Sequence, residues 1–435
     1  MVASYRSNLL ADFSERGLIH EVSAGLDDRL ARDPSISAYI GFDPSADSLH
    51  VGHLMGVLAL RRLQRAGGRP IALVGGGTGM IGDPSGRSAE RNLLDHATLD
   101  ANRAAIGAQL ARLLDFSGAS GALLLDNLEW LGDLGMIDFL RDTGKHLTVS
   151  YMLAKDSVKS RLEGGLSFTE FSYMLLQSYD FLMLRKRHGV ELQMGGSDQW
   201  GNITAGSELI RRVDGDGREG APLSFGLCYP LLLAKSGEKF GKTAEGAVWL
   251  SAERTSPFAF RQFFMDQPDE ALEELLQRLT LDESAAIHAL LAEHAKNPGG
   301  RAGQRRLATA VTALVHGEDE ELRARRVAET LFGGPEGRGS DPRALDASGL
   351  ATLAAELPTA PLPSAAESTL LDLVIAAGFA TSKSEARRLV EQGGVSINGE
   401  AATDPSALAS GFGRLGDGSL LLRKGRRDYR MLRAG

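Results

Sequence analysis

Between about residue 37 and residue 234, short apolar runs alternate with longer helical patterns, and several of the runs end in glycine. The runs are SAYIGF, PIALVGG, GALLLDN and VELQMGG, and helical stretches such as HLMGVLALRRLQRAG follow them. Parallel strands need a crossover long enough to hold a helix, so this alternation leads to an α/β domain with a parallel sheet. In such sheets ligands sit beyond the carboxyl ends of the strands. The glycines at Gly41, Gly75–Gly77 and Gly195–Gly196 stand at those ends.

After Thr255 the pattern becomes purely helical as far as about Phe332, with Pro257 placed as a first helical residue. GGPEGRGSDP then breaks the chain at Gly333–Pro342, and residues 351–368, rich in Ala, Pro and Ser, read as a linker. A compact module starts near Thr369. In TSKSEARRLVEQGGVSINGE, Ser382 or Ser384 can cap a helix, Gly393 and Gly394 end it, and a strand runs into the Asn398-Gly399 turn. A chain of 435 residues with a 43% hydrophobic share has material for two to four domains.

The net charge of −8 excludes a uniformly basic nucleic-acid binder but not local basic patches. Cys228 is the sole cysteine, which rules out an intrachain disulfide and a cysteine-rich zinc site. No apolar run approaches the ~18 residues of a membrane span, and the N-terminus lacks a signal-peptide core. The expectation is a cytoplasmic protein with no membrane partner and no structural metal.

Four stretches carry chemistry. Gly77-Thr78-Gly79-Met80-Ile81-Gly82 matches a dinucleotide fingerprint, but Asp83-Pro84 follows at once and no ribose-binding acid stands at the required distance. A phosphate or substrate loop with Asp83 as its charge fits better, and a plain tight turn stays open. In SYMLLQSYDFLML, an apolar helix pattern, Tyr173, Gln177 and Asp180 share one face at i, i+4 and i+7. A buried carboxylate needs a partner, so that stripe serves either an internal network or a polar ligand such as an amino acid. In QMGGSDQWGN, Gly196 and Asp198 suit a backbone approach and a ribose hydroxyl. Lys235 to Thr243 is a Gly- and Lys-rich loop suited to anions or simply to solvent.

His50-Val51-Gly52-His53 completes the set. No H-E-x-x-H motif and no third ligand accompany these histidines. Asp47 and Ser48 stand where they could cap a helix beginning near His50, whose free N–H groups would attract phosphate. Gly52 would let a base or ribose lie against the helix. Packed or surface histidines remain the alternative from this motif alone.

Together these residues resemble a known family. His50-Val51-Gly52-His53 resembles the HIGH motif of class I aminoacyl-tRNA synthetases, and Lys239-Phe240-Gly241-Lys242-Thr243 their KMSKS loop. YIGFDPSADSLHVGHL, LVGGGTGMIGDPSGR, FSYMLLQSYDFL and QMGGSDQWGNI look like the bacterial tyrosyl-tRNA synthetases in particular, over the whole chain. The tryptophanyl branch is the nearest rival, and the Tyr39/Asp180 pair argues against it. A non-catalytic RNA-binding relative is a second rival, against which both intact motifs speak. The resemblance implies a Rossmann-like catalytic domain at 1–250, a helical anticodon-binding domain at 251–340, a linker at 341–366 and an S4-like RNA-binding domain at 367–435.

It also implies roles. Tyr39 and Asp180 would hydrogen-bond a substrate phenol. Asp83, Tyr173 and Gln177 would hold its ammonium, with Gln193 and Gln199 near its carboxylate. Gly41, Asp43, Gly196 and Asp198 would contact the tyrosine or the adenylate ribose. Ser45, His50, Gly52, His53, Lys239, Lys242 and Thr243 would hold ATP, which enters with Mg2+ as a substrate. Arg87 and Arg91 stand where the family places cations on pyrophosphate, and Gly56 stands where it often has a larger residue. The basic tail (Arg414, Arg423, Lys424, Arg426, Arg427, Arg430, Arg433, with Tyr429) and Arg387 and Arg388 would meet tRNA(Tyr). A homodimer is expected from the family.

Overall fold

The structure is a computed structural model. It describes residues 5–85, 94–155, 158–159, 162, 165–215, 217, 220–233, 237, 240–243, 246–333, 341–363, 367–425 and 428–434, with only the backbone for Thr243. Arg87, Arg91, Lys239, Arg426 and Arg427 therefore lie outside the described residues. The chain divides into two compact units. The first combines Met1–Thr255 with Glu270–Glu293, and the second combines Ser256–Asp269 with His294–Gly435.

The first unit is built on six strands: β1 (Glu21–Val22), β2 (Ser37–Phe42), β3 (Arg69–Val74), β4 (Leu123–Asp126), β5 (Leu192–Gly196) and β6 (Phe225–Tyr229). Their order is β1-β6-β5-β2-β3-β4, with β1 antiparallel at one edge and the rest parallel. The four expected runs are β2 to β5. The chain leaves β2 to build β3 and β4 on one side and β5 and β6 on the other, so the order reverses between β2 and β5. That reversal is where a parallel sheet opens a crevice beyond its strand ends.

Four helices frame it: α1 (Leu54–Arg65), α2 (His96–Leu113), α3 (Phe168–His188) and α4 (Trp200–Asp214). Adjacent side chains of a strand point to opposite faces. Tyr39 accordingly joins the core formed with Phe181, Leu184, Leu209 and Ile210 of α3 and α4, while its neighbour Ile40 lies against α1 at Gly56. The Ser167 hydroxyl accepts from the Glu170 N–H to cap α3, and Gly189 at φ 65° ends it.

The second unit holds the helices Pro257–Met265, Ala302–His316 and Glu318–Phe332. Ser256 caps the first by accepting from the Ala259 N–H, with Pro257 in the first turn. A five-stranded sheet follows, from β9 (Thr359–Pro361), β10 (Val395–Ile397), β11 (Glu400–Ala401), β12 (Leu420–Lys424) and β13 (Asp428–Arg433), in the order β11-β10-β12-β13-β9. Two short strands of the first unit, β7 (Lys242–Thr243) and β8 (Gly246–Ala247), precede these in the chain. The helices Leu370–Ala376 and Lys383–Glu391 share its core. Of the two candidate caps, Ser382 makes the bond, accepting from the Glu385 N–H.

Two expectations give way here. The stretch 341–366, read as a linker, carries a helix, Ala347–Glu356, and the strand β9 within its described part. Leu350 and Leu353 of that helix are buried with Val327 and Leu331, and β9 pairs in parallel with β13. The Ala and Pro content concealed a single apolar stripe. Tyr429, expected among RNA-facing residues, is buried and donates its hydroxyl to the Leu331 carbonyl at 2.6 Å. Its ring is core.

Leu353→Ala should lower the unfolding free energy by about 2–5 kcal/mol, as deletion of a buried leucine side chain does. Urea unfolding followed by circular dichroism would show it. A loss near zero would return the segment to linker status.

Candidate active site

A cavity of about 310 Å3 opens at the carboxyl ends of β2, β3, β5 and β6. Tyr39, Gly41, Asp43, Ser45, His50, Gly52, His53, Asp83, Tyr173, Gln177, Asp180, Gln193, Gly196, Asp198 and Gln199 all line it. Residues from four separate sequence stretches thus meet in one cleft. Lys242 is exposed and does not line the cavity, although the neighbouring Phe240 does. Lys242–Thr243 (β7) pairs with Gly246–Ala247 (β8) as a short hairpin.

The closed end of the cleft is polar and buried. Asp180 accepts from Asn127 Nδ2 at 2.9 Å and from Trp130 Nε1 at 2.7 Å. Burial nevertheless dominates and raises its pKa to about 7, with those two donors opposing the rise. Among the described residues the Tyr39 hydroxyl and Gln193 Oε1 are both buried without a hydrogen-bond partner, and the two residues are paired across β2 and β5. Burial, then the charge of Asp180, raises the Tyr39 pKa well above the ordinary value, so this phenol stays neutral.

A hydrogen-bond chain runs from Asp180 toward the mouth. Asn127 Nδ2 also donates to Thr78 Oγ1 at 2.9 Å, and Asn127 Oδ1 accepts from the Gly77 N–H at 2.7 Å. Thr78 donates to Asp43 Oδ1 at 2.9 Å, and Tyr173 donates to Asp43 Oδ2 at 3.0 Å. The glycine loop therefore serves as a wall of the site, held by a side chain rather than by a dinucleotide. A second chain links the α3 stripe to the α4 start. Gln177 Nε2 donates to Gln199 Oε1 at 3.1 Å, and Gln199 Nε2 donates to Asp83 Oδ2 at 2.6 Å. Asn202 Nδ2 donates to Gln177 Oε1 at 3.0 Å.

The two histidines cap their own turn. His53 Nδ1 accepts from the His50 N–H at 3.0 Å, and His50 Nδ1 accepts from the Gly52 N–H at 3.1 Å. Each Nδ1 is thereby an acceptor, which leaves Nε2 as the ring's N–H donor in the neutral form. The imidazole centroids lie 3.9 Å apart. Asp47 and Ser48 do not cap this turn. Asp47 pairs with Arg254 at 2.6 Å, and buried Ser48 accepts from Gln109 Nε2 and the Ser251 N–H. Gly52 has a nearer reason than a nucleotide: a Cβ there would stand 2.8 Å from His50 Cε1.

Asn127, Trp130, Thr78, Asn202 and Tyr229 escaped the sequence reading. The run SFGLCYPLLL could have flagged β6, which ends at Tyr229. Thr78 and Asn202 lie inside stretches already singled out but carry no assigned role there, and nothing local marks Asn127 or Trp130.

Asp180 ionises near pH 7 when folded and near 3.8 when unfolded. Between those values the folded state binds one more proton, so stability falls as the pH rises through that window. The wild-type urea midpoint should therefore drop from pH 5 to pH 7 by more than that of Asp180→Asn. Parallel pH dependence in the two proteins would mean that the carboxylate is ionised throughout.

Residues 31–333 match the family model described as class I tRNA synthetases (W and Y), and residues 349–432 match a tyrosine–tRNA ligase SYY-like C-terminal domain. A tyrosine–tRNA ligase of Anaeromyxobacter dehalogenans is 50% identical over 98% of this chain and 99% of its own length. One of Geobacillus stearothermophilus is 44% identical over 98% of this chain and 99% of its own length. A solved C-terminally truncated mitochondrial tyrosyl-tRNA synthetase of Aspergillus nidulans superposes with a TM-score of 0.67 at 32% identity, covering 74% of this chain and 94% of that one. The cleft at the strand-order reversal and these matches agree, and the chain belongs to the class I tRNA synthetases of the tryptophan and tyrosine type.

Proposed function

We infer that the protein is a tyrosine–tRNA ligase, which joins L-tyrosine to ATP as tyrosyl-adenylate with release of pyrophosphate and then passes tyrosine to tRNA(Tyr). The observation that carries the tyrosine assignment is the unpartnered Tyr39 hydroxyl beside the Asp180 carboxylate at the closed end. A substrate phenol there donates to Asp180 and accepts from Tyr39. Phenylalanine would leave both buried groups unpaired, which costs binding. At the other end of the amino acid, Asp83, Gln177 and Tyr173 offer oxygens to an ammonium, and Gln193 and Gln199 lie toward its carboxylate.

The tyrosine carboxylate attacks the α-phosphate, and no side chain acts as nucleophile. Catalysis is positioning plus charge stabilisation. His50 and His53 supply Nε2–H donors to phosphate oxygens, and Lys239, Lys242, Thr243 and Arg87 supply further charge or hydroxyl contacts. Ser45 lies on the same path, and Gly41, Asp43, Gly196 and Asp198 face the tyrosine or ribose. Magnesium travels with ATP as part of the substrate.

The second unit is the RNA-binding part, with the helical segment reading the anticodon and the S4-like module beside it. Arg387 and Arg388 are exposed on the helix Lys383–Glu391 and suit phosphate contact. Arg423 and Lys424 also stand on this module, though Arg423 donates to Ser396 Oγ and Lys424 to the Phe379 carbonyl. No helix among the described residues is long and apolar enough to cross a membrane, and the reaction belongs to the cytoplasm. The homodimer reading is supported by Met136 and Ile137, which are 70% and 73% exposed, with Leu140 and Val149 also open to solvent. A second copy would cover that apolar face.

Tyrosine, and neither tryptophan nor phenylalanine, should support ATP–pyrophosphate exchange, and exchange with tryptophan alone would move the chain to the other branch. In single-turnover assays His50→Ala or Lys239→Ala should slow adenylate formation by about 10²-fold or more while tyrosine affinity holds; equal losses in both would remove these residues from the ATP site. Ile137→Asp should convert a dimer to a monomer in sedimentation velocity, and an unchanged sedimentation coefficient would place the contact elsewhere.

A further inference from the structure

Tyr229 belongs to none of the motifs above, yet it lines the same cleft. It is the last residue of β6 and pairs in register with Gly196 of β5. Its side chain crosses to the first turn of α1. A Cβ built on Gly56 would stand 2.9 Å from the Tyr229 hydroxyl oxygen and 3.5 Å from Ile40. That is closer than a carbon and a hydroxyl settle without one of them moving. Gly56 and Tyr229 therefore share one volume, and the missing side chain at 56 is what admits the phenol.

The residue is only 8% exposed. Its hydroxyl makes no hydrogen bond to a described residue, and the residue lines the cleft. A buried phenol ordinarily finds a partner for its O–H. Burial, with the charge of Asp198 adding to it, pushes the Tyr229 pKa up, and the group stays neutral. It can then both donate and accept, whereas the Asp198 carboxylate near it can only accept.

Its position fits one part of the ligand. Gly56 stands in the first turn of α1, three residues beyond His53, which belongs to the short turn before that helix. The Tyr229 hydroxyl thus meets the helix three residues beyond His53, and its strand lies beside β5, which ends at Gly196 two residues before Asp198. We propose that Tyr229 is a nucleotide-binding residue of the adenylation reaction, its hydroxyl contacting the ribose of ATP from the space left open at Gly56. The proposal rests on reading this cleft as the ATP site. It replaces the contact that a side chain at position 56 would otherwise make with one from the opposite wall.

The test uses the full chain and tyrosine-dependent ATP–pyrophosphate exchange. Tyr229→Phe removes one oxygen and keeps the ring. It should raise the KM for ATP about 5-fold, the loss of one neutral hydrogen bond, with the tyrosine dissociation constant from equilibrium dialysis unchanged. An unchanged KM for ATP overturns the proposal, as does an equal loss for both substrates. Gly56→Ala drives a methyl into the hydroxyl and should impair ATP use. In the Tyr229→Phe background the same methyl should cost less, so the double variant outperforms what the two single losses multiply to. Independent, multiplying losses would overturn the shared volume. Absence of exchange in the wild type would instead sink the ligase reading, so the two failures are distinct.

Discussion

A carboxylate buried at the closed end of a cleft is expensive, and the arrangement of this site follows from satisfying it. Asp180 takes one N–H from Asn127 and one from Trp130, both just beyond the end of β4. Asn127 spends its remaining polar atoms on Thr78 and on the Gly77 N–H, which fixes the loop after β3. Thr78 then fixes Asp43 beyond β2, and Asp43 takes the hydroxyl of Tyr173, back on the helix that carries Asp180. The loop of contacts closes on α3 and pins three strand ends with side chains that are already paired. The atoms it leaves out, the Tyr39 hydroxyl and Gln193 Oε1, belong to residues in register on the two strands between which the sheet order reverses. What the protein does not satisfy internally is what describes the ligand.

The same economy governs the HVGH turn. Two imidazoles spend their Nδ1 atoms on backbone N–H groups of their own turn. The rings are thereby oriented before any anion arrives, with the donor on Nε2. An oriented donor loses little on reaction, which is why positioned groups stabilise a developing charge better than mobile ones. Trp249 extends this support. It bridges to His50 in the backbone and meets its ring edge-on at 6.2 Å, and Arg254 lies over the indole at 3.7 Å.

The alternation of runs and helices, the α3 stripe and the HVGH turn were legible in the sequence because each is a local pattern with a fixed period or spacing. Tyr173, Gln177 and Asp180 could be placed on one face without any knowledge of the sheet. Their partners could not. Asn127 and Trp130 reach Asp180 across more than forty positions of chain, and Tyr429 reaches Leu331 across 98. Such contacts leave no periodic trace at either end. Tyr429 looked like an aromatic in a basic tail because its charged neighbours are visible in the sequence and its carbonyl partner is not. Strand β6 was missed for a related reason: FGLCY is buried throughout, so it lacks the polar alternation that would distinguish it from any apolar run. With β6 went Tyr229.

Helix α1 shows why contiguous domain boundaries describe this chain poorly. It follows directly on the turn that carries His50 and His53, both of which line the cleft. Its last turn carries Arg62, which is buried and donates to the carbonyls of Gln277 at 2.9 Å and Thr280 at 2.5 Å, and Arg65, which donates to that of Leu281 at 2.8 Å. Arg16 joins them on Gln277 and Asp282. These carbonyls terminate the helix Leu272–Leu279, where cations also meet the negative end of the helix dipole. Burial, and then the nearby charge of Arg16, lowers the Arg62 pKa to about 9, so the carbonyls, together with Asp12 at 3.6 Å from Nε, are what make a buried guanidinium tolerable. The chain leaves the first unit at Thr255 and returns for Glu270–Glu293, and what it returns to supply is this row of acceptors. The helix that follows the two histidines is thus anchored at its far end by a segment more than two hundred residues downstream.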